Sequence, residues 1–100
     1  MIDFTNMLDK PLLHCFVPAD KASVTFVFQD GMRRSFGVGA GNVDVLMTNG
    51  KEEGAKIKKV LDLPPSDPAG SHVLRFATDR GDIDFVYRLP PGGALVEMVE

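Results

Sequence analysis

The sequence predicts a mainly β fold, a small antiparallel β-barrel or sandwich of about seven short strands with a short N-terminal helix. Apolar and polar residues alternate with a period of two in several segments, most clearly from Asp82 to Leu89. Turn residues separate these segments at intervals of roughly ten residues, as is typical of barrels and sandwiches. A chain of 100 residues supports one hydrophobic core. Residues 1–100 are therefore expected to form a single domain.

Helical spacing is found at the start of the chain. Phe4, Met7, Leu8 and Pro11 recur at the i, i+3, i+4 and i+7 positions of one helical face, and the proline discourages continuation. A helix this short is marginal in water. Residues 1–11 are therefore expected to be a short helix or flexible arm, ordered by packing on the domain or on a partner.

Strands are predicted along the rest of the chain, separated by turn residues such as Asp30-Gly31. In order, the predicted strands span residues 12–17, 24–29, 33–38, 43–47, 57–63, 71–77, 82–89 and 94–99. The second and third of them form a hairpin. Prolines between positions 64 and 68 exclude a regular ladder, so a rigid surface loop is expected there.

The alternation also predicts which side chains enter the core. In the strand 33–38 it directs Arg34 inward together with Phe36, and Ser35 outward. In the last strand it directs Val96 and Met98 inward.

The strand that starts at Ile57 has a less regular pattern. Leu61 and Leu63 share the side of Ile57. Val60 and Asp62 are expected on the opposite side.

Charge is spread unevenly over the chain. The net charge of -3 provides no basic field of the kind that drives binding to nucleic-acid backbones. Lys51 to Lys59 contains four lysines against two glutamates, whereas residues 61–100 contain seven acids against three arginines. A basic segment beside an acidic body can steer a neighbouring subunit into register. Residues 48–56 are expected to form a mobile charged loop.

The single cysteine, Cys15, excludes an intrachain disulfide and favours folding in a reducing cytoplasm. The N-terminus lacks the positive start and apolar run of a secretory signal. No apolar segment approaches the ~20 residues that a membrane helix needs.

Residues with catalytic or metal-binding chemistry do not form a recognisable site. His14 and Cys15 are adjacent, but neighbours on a strand point to opposite faces, so a buried thiol beside a half-exposed imidazole is predicted. Asp79, Asp82 and Asp84 flank a turn, where carboxylates are more often solvated surface than cation ligands. No catalytic, metal or cofactor site is predicted, and no cofactor is expected. The protein is predicted not to be an enzyme.

Proline, glycine and apolar positions over nearly the whole chain resemble one family. The segments are Phe4, Met7-Leu8, Pro11-Leu12, Leu61-Asp62-Leu63-Pro64, Pro68, Gly70, Val73-Leu74-Arg75-Phe76, Asp84-Phe85-Val86-Tyr87-Arg88, Pro90 and Gly92-Gly93. In these positions the chain is similar to the head-tail joining (stopper) proteins of lambdoid phages and prophages.

The resemblance implies a structural virion component that joins the head connector to the tail without catalysis. Its partners would be copies of itself in a ring, connector or adaptor proteins and tail proteins. No membrane and no sequence-specific nucleic acid are implied, although the ring's channel can hold DNA. The expected location is the bacterial cytoplasm during assembly and then the virion.

The interface is expected to draw on exposed cations and on the N-terminal segment. The residues are Arg33, Arg34, Lys51, Lys56, Lys58, Phe4, Met7 and Leu8. The alternative is an intracellular binding module, such as an immunity or antitoxin-like protein with a contiguous acidic face. That face would be built from Asp79, Asp82, Asp84 and Glu97.

Overall fold

A computed structural model describes residues 2–19, 23–38, 43–47, 52–65, 70–89 and 92–98, with the backbone alone for 43–47. These residues form one 3₁₀ turn and eight strands. The turn is Thr5–Met7, and the strands are β1 (Leu12–Phe16), β2 (Ser23–Phe28), β3 (Arg33–Gly37), β4 (Val43–Met47), β5 (Ile57–Leu63), β6 (His72–Thr78), β7 (Gly81–Tyr87) and β8 (Val96–Met98).

The strands form two antiparallel sheets of four strands each. The first sheet has the order β1-β2-β3-β8, and the second has the order β4-β7-β6-β5. Over the described residues the two sheets stay separate, so the predicted mainly β fold is confirmed in its sandwich form. No helix in the described ranges has the length and apolar character needed to cross a membrane.

Phenylalanine fills the space between the sheets. Phe26 and Phe36 from the first sheet and Phe76 and Phe85 from the second are fully buried. The rings of Phe26 and Phe76 meet across the sandwich with 4.5 Å between their centroids. Alternation with a period of two places these rings on the inner faces, as predicted.

The N-terminal segment contains a single 3₁₀ turn, Thr5–Met7, instead of an α-helix. Asp9 then adopts a left-handed conformation (φ 61°), and the chain becomes extended. Met7 is fully buried, and Leu8 bridges to Ile57 at the start of β5. The ring of Phe4 lies between the two sheets, 5.2 Å from Phe36 and 5.8 Å from Phe76. The segment therefore packs on the domain.

A β-bulge changes the face of most of β5. The register with β6 shifts between Ile57 and Lys59. After the shift, Val60 pairs with Phe76 and Asp62 pairs with Leu74, whose side chains face the core.

The predicted sides of the β5 residues are therefore wrong beyond the bulge. Leu61 and Leu63 do not share the side of Ile57, because one extra residue reverses the alternation. Val60 and Asp62 lie on that side instead.

The last strand also faces the other way from the prediction. Val96 and Met98 are 47% and 38% exposed. Glu97 lies opposite the buried Phe36 and takes the inner side. Glu97 takes this side because it forms an ion pair with Arg34. The inward direction of Arg34 agrees with the alternation in the strand 33–38.

The charged loop predicted over residues 48–56 is described from Glu52 onward, and residues 48–51 lie outside the described residues. The described part runs along β1. Gly54 N donates to Leu12 O at 2.7 Å, and Leu12 N donates to Ala55 O at 2.8 Å. Ala55 is buried. Residues 52–55 therefore cover the outer edge of β1.

Candidate protein-interaction surface

Exposed apolar side chains collect on the outer face of the first sheet. Four large apolar side chains are exposed among the described residues, and three of them, Phe16, Val96 and Met98, lie on this face. The pairing Phe16–Thr25–Ser35–Met98 forms one row across all four strands. Directly opposed residues in a sheet share a face. We call Phe16, Val96 and Met98 the outer patch.

A hydrogen-bonded pair of hydroxyls lies in the middle of this row. Thr25 Oγ1 and Ser35 Oγ are 2.8 Å apart, and both residues are buried. Ser35 faces away from the core, as predicted, but it is not solvated. Phe16 and Met98 are the larger neighbours at either end of the row. One hydroxyl donates to the other, and among the described residues no buried side-chain nitrogen or oxygen lacks a hydrogen-bond partner.

Arg34 fixes β8 and the N-terminal turn to the first sheet. Its Nε and Nη2 donate to the two carboxylate oxygens of Glu97, each at 2.7 Å. Its Nη1 donates at 2.7 Å to both Asp3 O and Asn6 Oδ1. The guanidinium also lies 5.1 Å from the centroid of the Phe36 ring. A bidentate pair of this kind is among the stronger polar contacts in proteins.

The hydrogen bonds from Arg34 hold the pKa of Glu97 below its usual value of 4.5. A carboxyl with a lowered pKa in the folded state stabilises the fold above its ordinary pKa, and this stabilisation is lost as pH falls through the lowered value. The wild-type protein should therefore lose stability below about pH 4.5, and Glu97→Gln should remove part of that loss. Denaturant titrations near pH 7 and about pH 3 measure it. Equal pH dependence in the two proteins would contradict this role.

Some edge strands of the two sheets are covered by other segments of the chain, and others are not. Cys15 N, on the edge of β1, donates to Glu52 Oε2 at 3.2 Å, beside the contacts of residues 52–55. The start of β5 is covered by the N-terminal segment, where Asp9 N donates to Ile57 O at 2.9 Å. Within the described residues, no strand pairs with the outer edge of β8.

An apolar groove of about 530 Å³ opens between the sheets beside the start of β8. Its apolar lining includes Ile2, Leu74, Leu89 and Leu95, and Asp62 lies in its wall. We call it the end groove.

The polar wall of the end groove includes a stacked pair of rings. His72 lies 5.1 Å from Tyr87, with 16° between the ring planes. Burial, and to a lesser degree the charge of Asp62, raise the pKa of the Tyr87 hydroxyl.

The residues predicted for the interface do not form one surface. Met7 and Arg34 are buried, so they are corrected to structural residues that hold the N-terminal segment and β8. Phe4 and Leu8 are partly buried against the core. Lys51 lies outside the described residues.

The remaining predicted cations are exposed but lie in different places. Arg33 is opposite Val27, on the outer face of the first sheet. Lys56 and Lys58 lie at the start of β5, where Lys58 Nζ donates to Asp9 Oδ1 at 2.6 Å. That contact lowers the pKa of Asp9 and raises the pKa of Lys58.

The alternative hypothesis of an intracellular binding module requires a contiguous face of four acidic residues. These residues are divided between the two sheets. Arg75 Nε lies 2.8 Å from Asp84 and 3.4 Å from Asp82. Asp79 Oδ1 accepts a hydrogen bond from the backbone N–H of Lys56. Glu97 belongs to the first sheet and is paired with Arg34.

His14 and Cys15 point to different neighbours. The imidazole of His14 stacks on Phe16, with 5.3 Å between centroids. Cys15 Sγ lies 3.1 Å from Glu52 Oε2. Burial, followed by the hydrogen bond and charge of Glu52, strongly raises the pKa of the Cys15 thiol. A thiol of raised pKa is a poor nucleophile. In the described part of the chain, no three His, Cys, Asp or Glu residues gather as a metal ion requires.

Comparison of the chain with protein-family models, with curated proteins and with solved structures found no match in any of the three.

Sequence reasoning missed the outer patch and the end groove. The signal for the patch was present in Arg34. An arginine directed into an apolar core requires an acidic partner, and Glu97 in the last strand can meet it only if Val96 and Met98 face outward. The end groove had no such signal, because it depends on the bulge in β5 and on where residues 2–4 pack.

Proposed function

We propose that this protein is a structural subunit that joins the phage head connector to the tail. It acts by protein-protein contact and ring assembly, without catalysis. The observation that carries the proposal is the outer patch, in which Phe16, Val96 and Met98 share one face of one sheet. They lie at the two edges of that face, Phe16 on β1 and Val96 and Met98 on β8, and exposed apolar side chains on one face of a sheet are typical of surfaces that bind other proteins.

The arrangement of the face favours an assembly role. The patch lies on a four-stranded sheet, and between its two ends the Thr25 and Ser35 hydroxyls are buried and hydrogen-bonded to each other. A partner therefore meets side chains whose positions are already set, which reduces the entropy lost on binding. The sequence resemblance to head-tail joining proteins supplies the biological setting of the proposal.

Deletion of the gene from the phage or prophage that encodes it tests the proposed function. The expected result is heads filled with DNA that carry no tails, counted by electron microscopy of particles after induction. The gene supplied in trans should restore tailed particles. Tailed, infectious particles in the absence of the gene would overturn the proposal.

The outer patch also predicts the effect of one substitution on self-association. Phe16→Glu places a charge on an apolar contact surface and should abolish concentration-dependent association in sedimentation velocity. It should lower the free energy of unfolding by only about 1 to 2 kcal/mol, because the Phe16 side chain is 36% exposed and loses its stacking contact with His14.

Leu13→Glu is the matched control for this substitution. Leu13 is similarly exposed on the same strand but lies outside the outer patch, at the bulge in β1. The control should associate like the wild type. Equal association of all three proteins would rule out the patch as the contact surface.

A further inference from the structure

We infer that the outer edge of β8, together with the end groove, binds an extended β-strand segment of a partner protein. That the partner is a neighbouring protein of the phage particle rests on the proposed function. The mode of binding rests on the structure of the edge and of the groove.

The edge of β8 differs from two other sheet edges in the described structure. Residues 52–55 and the side chain of Glu52 cover β1, and residues 8–11 cover the start of β5. The outer edge of β8 ends the first sheet, and no described residue pairs with it. Unpaired N–H and C=O groups along a strand are satisfied by the backbone of another strand.

The edge is held in place before a partner binds. Glu97, at the centre of β8, accepts two hydrogen bonds from Arg34, and Arg34 is held in turn by Asp3 and Asn6. The strand is also paired with β3 over its full length. A short strand fixed in this way offers its free edge with little ordering cost.

Side chains of an added strand would find different surfaces on its two faces. On the outer face lie Val96 and Met98, both exposed. On the inner face lies the end groove, whose lining includes Gly93, Ala94 and Leu95 immediately before β8. Alternate side chains of a strand point to opposite faces. An occupant with apolar residues at alternate positions can therefore fill the groove while its backbone pairs with β8.

The charge of the groove adds one further requirement. Asp62 is an exposed carboxylate in its wall, and its charge acts on Tyr87. A basic residue next to the apolar positions of the occupant would complement it. The expected ligand is an extended, apolar and weakly basic segment.

A titration of the isotopically labelled full chain followed by NMR tests the inference. The probe is a synthetic peptide in which valine alternates with threonine and lysine, added to about 1 mM, a range that detects weak binding. We expect shifts in the backbone amides of Val96, Glu97 and Met98 and in those of the groove lining. The control peptide has the same side chains with alternate amides methylated, and it should bind at least about tenfold more weakly because it cannot pair.

Variants of the protein provide the second half of the test. Val96→Lys combined with Met98→Lys protects the edge with charge and should weaken binding by about tenfold. Leu13→Lys, an equally exposed apolar position on the covered edge of β1, should bind the peptide like the wild type.

Three results would overturn the inference. They are no shift of the β8 amides, equal binding of the methylated peptide, and pairing of the β8 backbone with a second copy of the chain, detected by NMR in the Phe16→Glu variant, which does not associate through the outer patch. None of these results alters the phenotype of the gene deletion. Conversely, tailed particles after deletion would overturn the proposed function but would not change the result of the peptide titration.

Discussion

Replacing Phe76 with alanine is expected to lower the free energy of unfolding by about 4 kcal/mol. Phe76 is fully buried at the centre of the sandwich. Its ring contacts Phe26 from the first sheet and Phe4 from the N-terminal segment. Truncation removes the apolar contacts and leaves a cavity between two sheets that cannot close on it. Domains of this size have only about 5 to 15 kcal/mol of stability, so the variant should lose a large fraction of its free energy of unfolding.

Denaturant unfolding monitored by circular dichroism measures this loss. Phe76→Leu is the matched control, since it keeps most of the apolar volume and should cost roughly 1 to 2 kcal/mol. A loss below about 1 kcal/mol for the alanine variant would show that the side chain does not join the two sheets.

Replacing Arg34 with alanine should be the second most damaging change, with a loss of about 3 kcal/mol. Four hydrogen bonds leave with the guanidinium, two of them to Glu97 and two to the N-terminal segment. The Glu97 side chain is 42% exposed, so water can reach the carboxylate once its partner is lost. This exposure holds the expected loss to the lower end of the range for breaking a buried pair.

The role of Arg34 is tested by combining it with Glu97→Gln in a double-mutant cycle. The two changes should be strongly non-additive, because they break the same pair of hydrogen bonds. Arg34→Lys keeps the positive charge and should therefore recover part of the stability. The recovery should be incomplete, because one ammonium cannot donate to both carboxylate oxygens in the same geometry. Additive effects of the two substitutions would contradict the pairing.

Much of the sandwich could be predicted from the sequence because its strands obey a simple period. The strand from Gly81 to Tyr87 shows why: Ile83, Phe85 and Tyr87 are buried and alternate with partly exposed residues. Likewise, the hairpin at Asp30-Gly31 follows from turn chemistry, and Gly31 adopts a positive φ of 93°.

Two errors came from local irregularity that a single sequence does not reveal. The bulge near Lys59 is set by where β6 pairs, which is a long-range contact. The N-terminal segment contains helical spacing, but three residues of 3₁₀ turn suffice to bury Met7. In both places packing overrides the local pattern.

The interaction surface was harder to predict than the fold. A sequence shows which residues are charged and predicts that they are exposed, yet Arg34 is buried. The outer patch depends on the direction of Glu97, because Val96 and Met98 point outward when Glu97 points inward. An apolar residue in a strand does not by itself show which face of the sheet it occupies.

Complementation of the gene deletion with two variants tests the central proposal most directly. The measurement is the fraction of filled heads that carry tails, with the level of folded protein checked for each variant. Leu13→Glu should restore tailed particles to the wild-type fraction. Phe16→Glu should leave filled, tailless heads, and a wild-type fraction of tailed particles with this variant would contradict the proposal that the outer patch mediates assembly.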